Sequence, residues 1–185
     1  TFGCATVCIN PASLPIAREM CNGTETGICV VCDFPFGLSS TASKAMQAEM
    51  IVREGGIQDL DIVANYGWIR SGMWQAVEED IRAVAKVCHT YGTLLKVIFE
   101  TDALTLAEVK KATEVAIAAQ ADFVKTSTGF FTGKAEGATV EVIQAMMDTA
   151  QGRIQIKGSG GIRDQAHFRK LIAMGIARLG IVYRP

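Results

Sequence analysis

Short apolar runs recur along this chain, each followed by an amphipathic stretch, and that alternation limits the fold more than any other feature. "ATVCIN", "GICVVCDF", "DLDIVAN", "LLKVIFE", "ADFVKT", "RIQIK" and "ARLGIVY" read as seven strands. Runs so short and so continuously apolar suit a parallel sheet covered by helices. Six helices fit between them. The first is "PASLPIAREMC", with Pro11 near its start. The second covers residues 41–53, with Ala42, Ala45, Met46 and Met50 as its apolar stripe, and stops at Gly55 and Gly56. The third covers residues 74–89, buries Val77, Ile81, Val84, Ala85 and Cys88, and ends with Gly92 at C′. The fourth opens at Thr105 with Glu108 three residues on, a capping-box pattern, and runs to about Gln120. The last two cover residues 139–149 and 164–174. Met46, Met50, Met146 and Met147 read as core filling, and Trp68 and Trp74 flank a loop.

A unit of roughly 25 to 30 residues suits either a doubly wound sheet or a (β/α) barrel, and the pattern alone does not choose. With no linker, charge run or low-complexity segment, residues 1–185 read as one domain. A net charge of -1 without a basic block excludes nucleic acid and membrane surfaces as expected partners. The apolar runs are too short to span a bilayer, and "TFGCATVCIN" lacks the charged and hydrophobic regions of a signal peptide. The expected compartment is the cytoplasm. There the six cysteines read as small buried thiols in a reducing environment. Cys29 and Cys32 form a C-x-x-C, but within one strand that odd spacing sends them to opposite faces, so no metal site is expected of them.

In both architectures function gathers at the C-terminal ends of the strands. Asp61 sits in "DLDIVAN", Lys96 in "LLKVIFE" with Glu100 at its end, Lys125 ends "DFVK", and Lys157 ends "RIQIK". Ionised side chains are rarely buried without partners, so several on successive strands point to a site. Two close lysines suit imine formation, because only a neutral amine attacks a carbonyl and a second cation lowers the pKa of the first. Lys125 is then the nucleophile and Lys157 its depressing neighbour. Asp61 relays protons through water. "KGSGGIR" opens a helix with small residues and exposed N–H groups, a phosphate cradle that Arg163 can assist. His89, near a helix C-terminus, and His167, in a surface helix, read as solvated or capping groups.

These residues resemble a known family. "DFVKTSTGF" with "IKGSGGIR" resembles deoxyribose-phosphate aldolase, and so do "ATVCINPASLPIA", "DFPFG", "DLDIVANYGWIRSG" and "LLKVIFET", in the right order over nearly the whole chain. The resemblance implies a TIM (β/α)8-type barrel and a class I, Schiff-base lyase. The reaction would be reversible cleavage of 2-deoxy-D-ribose 5-phosphate to acetaldehyde and D-glyceraldehyde 3-phosphate. It implies Lys125 as the Schiff-base lysine, Lys157 as the residue keeping its pKa low, and Asp61, supported by Lys96, as the proton relay. Thr128 orders water or a substrate hydroxyl, and Gly129, Gly160, Gly161 and Arg163 surround the phosphate. No metal or organic cofactor is implied, since the lysine is the electron sink. The expected partners are a sugar phosphate and an aldehyde.

The chain departs from the family pattern at its ends. It opens on what reads as the family's second strand, and "LGIVYRP" replaces the Gly-x-Ser-Ser-like turn and the final helix. The expectation is a barrel lacking its first strand-helix unit and last helix, through truncation, rearrangement or closure by another chain. A homo-oligomer covering the gap follows. Two other functions remain open at this point: a lysine aldolase with a different or non-phosphorylated acceptor, and a silent homologue acting in binding or assembly.

Overall fold

The structure, a computed structural model, describes residues 3–182. Tyr183 of the last apolar run and the chain end at Pro185 lie outside them. Seven strands form one parallel sheet in sequence order: β1 (Thr6–Ile9), β2 (Gly27–Cys32), β3 (Asp59–Val63), β4 (Leu94–Ile98), β5 (Phe123–Lys125), β6 (Gln155–Ser159) and β7 (Arg178–Gly180). Among the described residues β1 pairs only with β2, and β7 only with β6. Helices α1 (Leu14–Cys21), α2 (Thr41–Val52), α3 (Tyr66–Arg70), α4 (Trp74–Thr90), α5 (Leu106–Ala118), α6 (Val140–Ala150) and α7 (Gln165–Ala173) fill the crossovers. None of these helices is long and apolar enough to cross a membrane.

The sheet is curled. Flat strands at a spacing of about 4.8 Å would leave β3 and β7 roughly 19 Å apart. Yet Arg178 of β7 donates to Asp59 of β3 at 3.0 Å. Lys157 of β6 reaches Asp61 of β3 at 3.5 Å. Strand periodicity then divides the side chains. Ile28, Val30, Cys32, Leu60, Ile62, Leu95, Val97, Val124 and Ile156 point outward and pack with the helices in one apolar core. Asp59, Asp61, Lys96, Lys125, Lys157 and Arg178 point into the curl. Stability comes from the sheet–helix layer, so the concave face is free to carry charge.

Local chemistry explains most helix starts. Ser40, Thr139 and Asp164 each accept a bond from the backbone N–H three residues on. Thr105 and Glu108 form the reciprocal capping box. The buried face of α4 is the expected stripe, with Asp80 added to it. Helix α3 is an addition to the expected set. Asn65 caps it by accepting from the Trp68 N–H at 3.1 Å, and Gly72 follows with φ +70. Trp68 and Trp74 pack against the core.

The stripe expected on α2 is wrong. Lys44, Ala48, Ile51 and Val52 face inward, while Met46 and Met50 are 64% and 69% exposed. Of the expected methionine core, Met146 is buried and Met147 half-buried against it. The physical reason is Lys44, which is fully buried. Its ammonium meets Asp80 Oδ2 at 2.6 Å, the Val63 carbonyl at 3.0 Å and the Gly37 carbonyl at 3.4 Å. With its donors satisfied, lysine rotates the helix by half a turn from the naive apolar face.

That pairing is testable. Asp80→Ala leaves the buried ammonium with only the more distant Asp33 carboxylate, at 3.7 Å, and should lower stability by about 3 kcal/mol in urea unfolding. The double variant Lys44→Met/Asp80→Leu should recover most of the loss, because no buried charge is then stranded.

Candidate active site

Register brings the charged residues together. On neighbouring strands Asp61 is level with Lys96, and Lys125 is level with Lys157. Because β3 to β6 curl, both later lysines also reach Asp61. Its Oδ1 faces the Lys96 ammonium at 3.2 Å, and its Oδ2 faces Lys125 at 3.0 Å and Lys157 at 3.5 Å. Cys29 donates its thiol to Oδ1 at 3.1 Å. Deeper in the curl, Asp59 pairs with Lys96 at 2.5 Å and Arg178 at 3.0 Å. Lys96 and Arg178 both stand 5.4 Å from the centre of the Phe123 ring. Gly180 keeps this packing feasible, since a Cβ there would press on Ser159 at 3.1 Å and on Lys157 Cε at 3.3 Å.

The electrostatics follow from this crowding. Burial pushes the Asp61 carboxyl up, but Lys125, Lys157 and Lys96 together outweigh it and hold the group well below the usual carboxylate range. Burial opposes charge on Lys96, but Asp61, Cys29 and Asp59 raise its pKa overall. Lys125 behaves the same way: burial lowers its pKa, and Asp61 with Cys8 raises it above the ordinary value. This corrects the expectation that Lys157 leaves Lys125 with a depressed pKa. The Asp61 carboxylate outweighs the burial of Lys125 and shifts it toward its charged form.

The loops above the strands carry the remaining expected residues. Thr128 donates its hydroxyl to Glu100, and its N–H meets the same carboxylate at 3.2 Å. Burial raises the Glu100 pKa, with the Thr128 bonds opposing. Asp102 accepts the N–H groups of Glu136 and Gly137 at 2.7 and 3.0 Å. The β5–α6 loop is thus tied at both ends to carboxylates that follow β4. Gly160 and Gly161 have φ +76 and +71, and Gly137 has φ +70. Their backbones touch: a Cβ on Gly161 would lie 2.1 Å from the Glu136 carbonyl oxygen, and one on Gly137 would lie 2.3 Å from the Gly160 carbonyl carbon. Only glycine permits that approach. Gly129 and Arg163 are exposed at the rim, with open space around the glycine. His167 bonds the Ala138 carbonyl at 2.9 Å, and His89 meets Asp122 at 2.9 Å. Both lie away from the carboxylate cluster.

Sequence reasoning missed Asp59, Arg178 and the pair Cys8 and Cys29. The signal for Asp59 was available, since period two puts both acids of "DLD" on one face. Cys32 does point away from Cys29, toward Gln47 on α2 at 3.3 Å. Cys8, Cys29 and Asp61 offer donor atoms within 4.8 Å of one another. A metal cation fits them poorly, because the Lys96, Lys125 and Lys157 ammonium groups already crowd the same carboxylate.

Comparison with known proteins agrees with this geometry. Residues 1–181 match the model of the DeoC/LacD family aldolases. A deoxyribose-phosphate aldolase of Mannheimia succiniciproducens is 44% identical over 174 residues, covering 94% of this chain and 75% of that protein. The solved structure of QR15, an aldolase, aligns with a TM-score of 0.85 at 38% identity, covering 95% of this chain and 76% of that one. The tetrameric deoxyribose phosphate aldolase of Aeropyrum pernix aligns with a TM-score of 0.82 at 25% identity, covering 97% and 73%. The fold class is accordingly the TIM-type (β/α) barrel, of which the described residues form seven staves.

Asp61→Asn should cost about 3–5 kcal/mol of stability at neutral pH, since three buried ammonium groups lose their shared counter-charge. The sign with pH follows from its depressed pKa. The stabilisation is complete above the ordinary aspartate value, about 3.9, and fades as pH falls toward the folded value. Urea titrations should show that acid limb in the native protein and lack it in Asp61→Asn.

Proposed function

Because the chain belongs to the DeoC/LacD aldolase family, we propose that it is a class I aldolase that reversibly cleaves 2-deoxy-D-ribose 5-phosphate to acetaldehyde and D-glyceraldehyde 3-phosphate. One observation carries the assignment of roles: two lysines from adjacent strands address the same carboxylate oxygen, Lys125 at 3.0 Å and Lys157 at 3.5 Å. Chemistry through an imine needs an amine that can give up a proton to a nearby acceptor and leave a second cation behind.

Lys125 is the nucleophile. Its proton leaves through water beside the Asp61 carboxylate, which stays ionised and paired with Lys157. The free amine attacks the aldehyde carbon of the open-chain sugar. Loss of water gives an iminium ion. The hydroxyl on C3 then loses its proton, the C2–C3 bond breaks, and the electron pair settles on the iminium nitrogen as an enamine. D-glyceraldehyde 3-phosphate departs. Protonation at C2 and hydrolysis release acetaldehyde and restore Lys125. The lysine is the electron sink throughout, and the reaction needs no further cofactor. Lys96 holds Asp61 in place from the other oxygen. Thr128, anchored by Glu100, borders the acceptor end.

The phosphate is held at Gly160 and Gly161, ahead of α7, with Gly129 and Arg163 at the rim. Small residues before a helix N-terminus expose N–H groups to an anion. The protein works in the cytoplasm as a homo-oligomer. The support for the assembly is indirect: a structural relative is described as tetrameric.

The test is borohydride reduction in the presence of acetaldehyde, followed by peptide mass spectrometry. One ethyl adduct is expected, on Lys125, and none in Lys125→Ala. An adduct elsewhere, or none from folded protein, rejects the role. Since the resting amine is protonated, trapping should quicken as pH rises above neutral. Lys157→Leu removes the competing cation from the shared oxygen, tightens the Lys125–Asp61 pair, and should move that pH profile further to the alkaline side. A profile that stays put would mean Lys157 does not tune Lys125. Turnover of the 5-phosphate should exceed that of unphosphorylated deoxyribose. Equal rates would favour the non-phosphorylated acceptor.

A further inference from the structure

The mechanism above makes no use of two sulfur atoms in the wall of the site. Cys8 on β1 is the register partner of Cys29 on β2. Adjacent strands lie about 4.8 Å apart, inside the Cα separation of roughly 4.4–6.8 Å that a disulfide spans. The two side chains point the same way, since their sulfur atoms lie within 4.8 Å of each other and of an Asp61 oxygen. Both cysteines are free thiols. Among the described residues Cys8 is the exposed member of the pair, and Cys29 is buried behind it.

We propose that Cys8 and Cys29 are a redox pair that closes to a reversible disulfide beside Asp61 and switches the site off. The charges around the pair favour the first step. Cys29 beside it brings the Cys8 thiol down to about 7, with Lys125 and Lys157 assisting against burial and Asp61. The contrast is Cys32 and Cys88, which burial pushes up to about 12. Those two are core thiols, and a peroxide meets little thiolate there.

The chemistry balances with hydrogen peroxide as the two-electron oxidant. The Cys8 thiolate attacks one peroxide oxygen, an S–O bond forms, the O–O bond breaks, and hydroxide leaves. Cys29 then attacks the sulfenic sulfur of Cys8. The S–S bond forms, the S–O bond breaks, and the departing hydroxide takes the Cys29 proton as water. Two thiols are oxidised and one peroxide is reduced.

The consequence is local. To reach Cys8, the Cys29 sulfur must leave Asp61 Oδ1, to which it now donates at 3.1 Å, and leave Lys96, now at 3.8 Å. Asp61 loses its thiol donor, so the ammonium groups of Lys96, Lys125 and Lys157 alone then set its orientation. The loss of turnover rests on the aldolase reading; the disulfide itself does not.

The experiment oxidises the whole protein with hydrogen peroxide, alkylates the remaining thiols, and maps peptides by mass. The expected product is a peptide pair joined through Cys8 and Cys29 and lighter by two hydrogens. It should be absent from Cys8→Ser and from Cys29→Ala. Turnover of the 5-phosphate should fall in step with the linked fraction and return with dithiothreitol, and Cys8→Ser should resist the loss. Oxidation of Cys8 only to sulfinic acid, or its pairing with any other cysteine, overturns the proposal. A complete Cys8–Cys29 link with undiminished turnover overturns the switch. If the reduced protein yields no Lys125 adduct with acetaldehyde, the aldolase reading fails on its own, and the peptide map still decides the disulfide.

Discussion

Asp61 is the interaction on which the interior depends. Three ammonium groups converge on its two oxygens, and all four residues are buried or nearly so. None of the lysines would stay charged there alone, since an isolated ammonium in a poorly solvated site loses its proton instead. The carboxylate therefore sets the protonation of its neighbours as much as they set its own. Its grip also selects the sheet's curvature. Lys125 and Lys157 come from strands two and three places away, and only a curled sheet lets both meet one oxygen.

The curl is stable because the molecule inverts the usual plan of a sheet with a greasy concave face. The apolar core lies between strands and helices, where Leu60, Ile62, Leu95, Val97 and Val124 are fully buried. That layer supplies the hydrophobic free energy, and the inner face is left for charges that stabilise only as a network. Buried ion pairs seldom add net stability, because desolvation opposes them. Their persistence here on five strands is better explained by what they do than by what they hold. Asp59 with Lys96 and Arg178 closes the floor of the network and leaves Asp61 as the group nearest the mouth.

Much of this was legible in the chain. The strand-helix alternation located all seven strands, because short apolar runs bounded by turns leave little ambiguity. The strand-end charges Asp61, Lys96, Lys125 and Lys157 were legible too, since each interrupts an apolar run where a neutral residue would be cheaper to bury. The errors share one cause. The α2 face was read from its apolar residues without Lys44, which rotated the helix, and Lys125 was read as having a depressed pKa. In both cases a lysine's environment was judged from its own strand or helix, whereas its partners, Asp80 and Asp61, arrive from elsewhere in the fold. Helix α3 was missed because its only signals are an Asn cap and a glycine stop around five residues. Cys8 and Cys29 were discounted as core thiols because their pairing lies in the register between strands, which one sequence does not display.

The raised pKa of Lys125 sharpens the chemical picture. Around Asp59 and Asp61 stand four cations, Lys96, Lys125, Lys157 and Arg178. The network therefore carries more positive than negative charge, and one proton can leave without stranding a carboxylate. Lys125 is the member that can lose it. Lys96 is fully buried and divided between two acids, and Arg178 does not deprotonate in proteins. Lys125 shares its oxygen with a second ammonium, so its departure as a neutral amine leaves Asp61 still paired. On this view catalysis does not need a lysine that rests neutral. It needs one whose proton is dispensable to the network, beside a carboxylate 3.0 Å away that stays ionised and paired as that proton leaves through water.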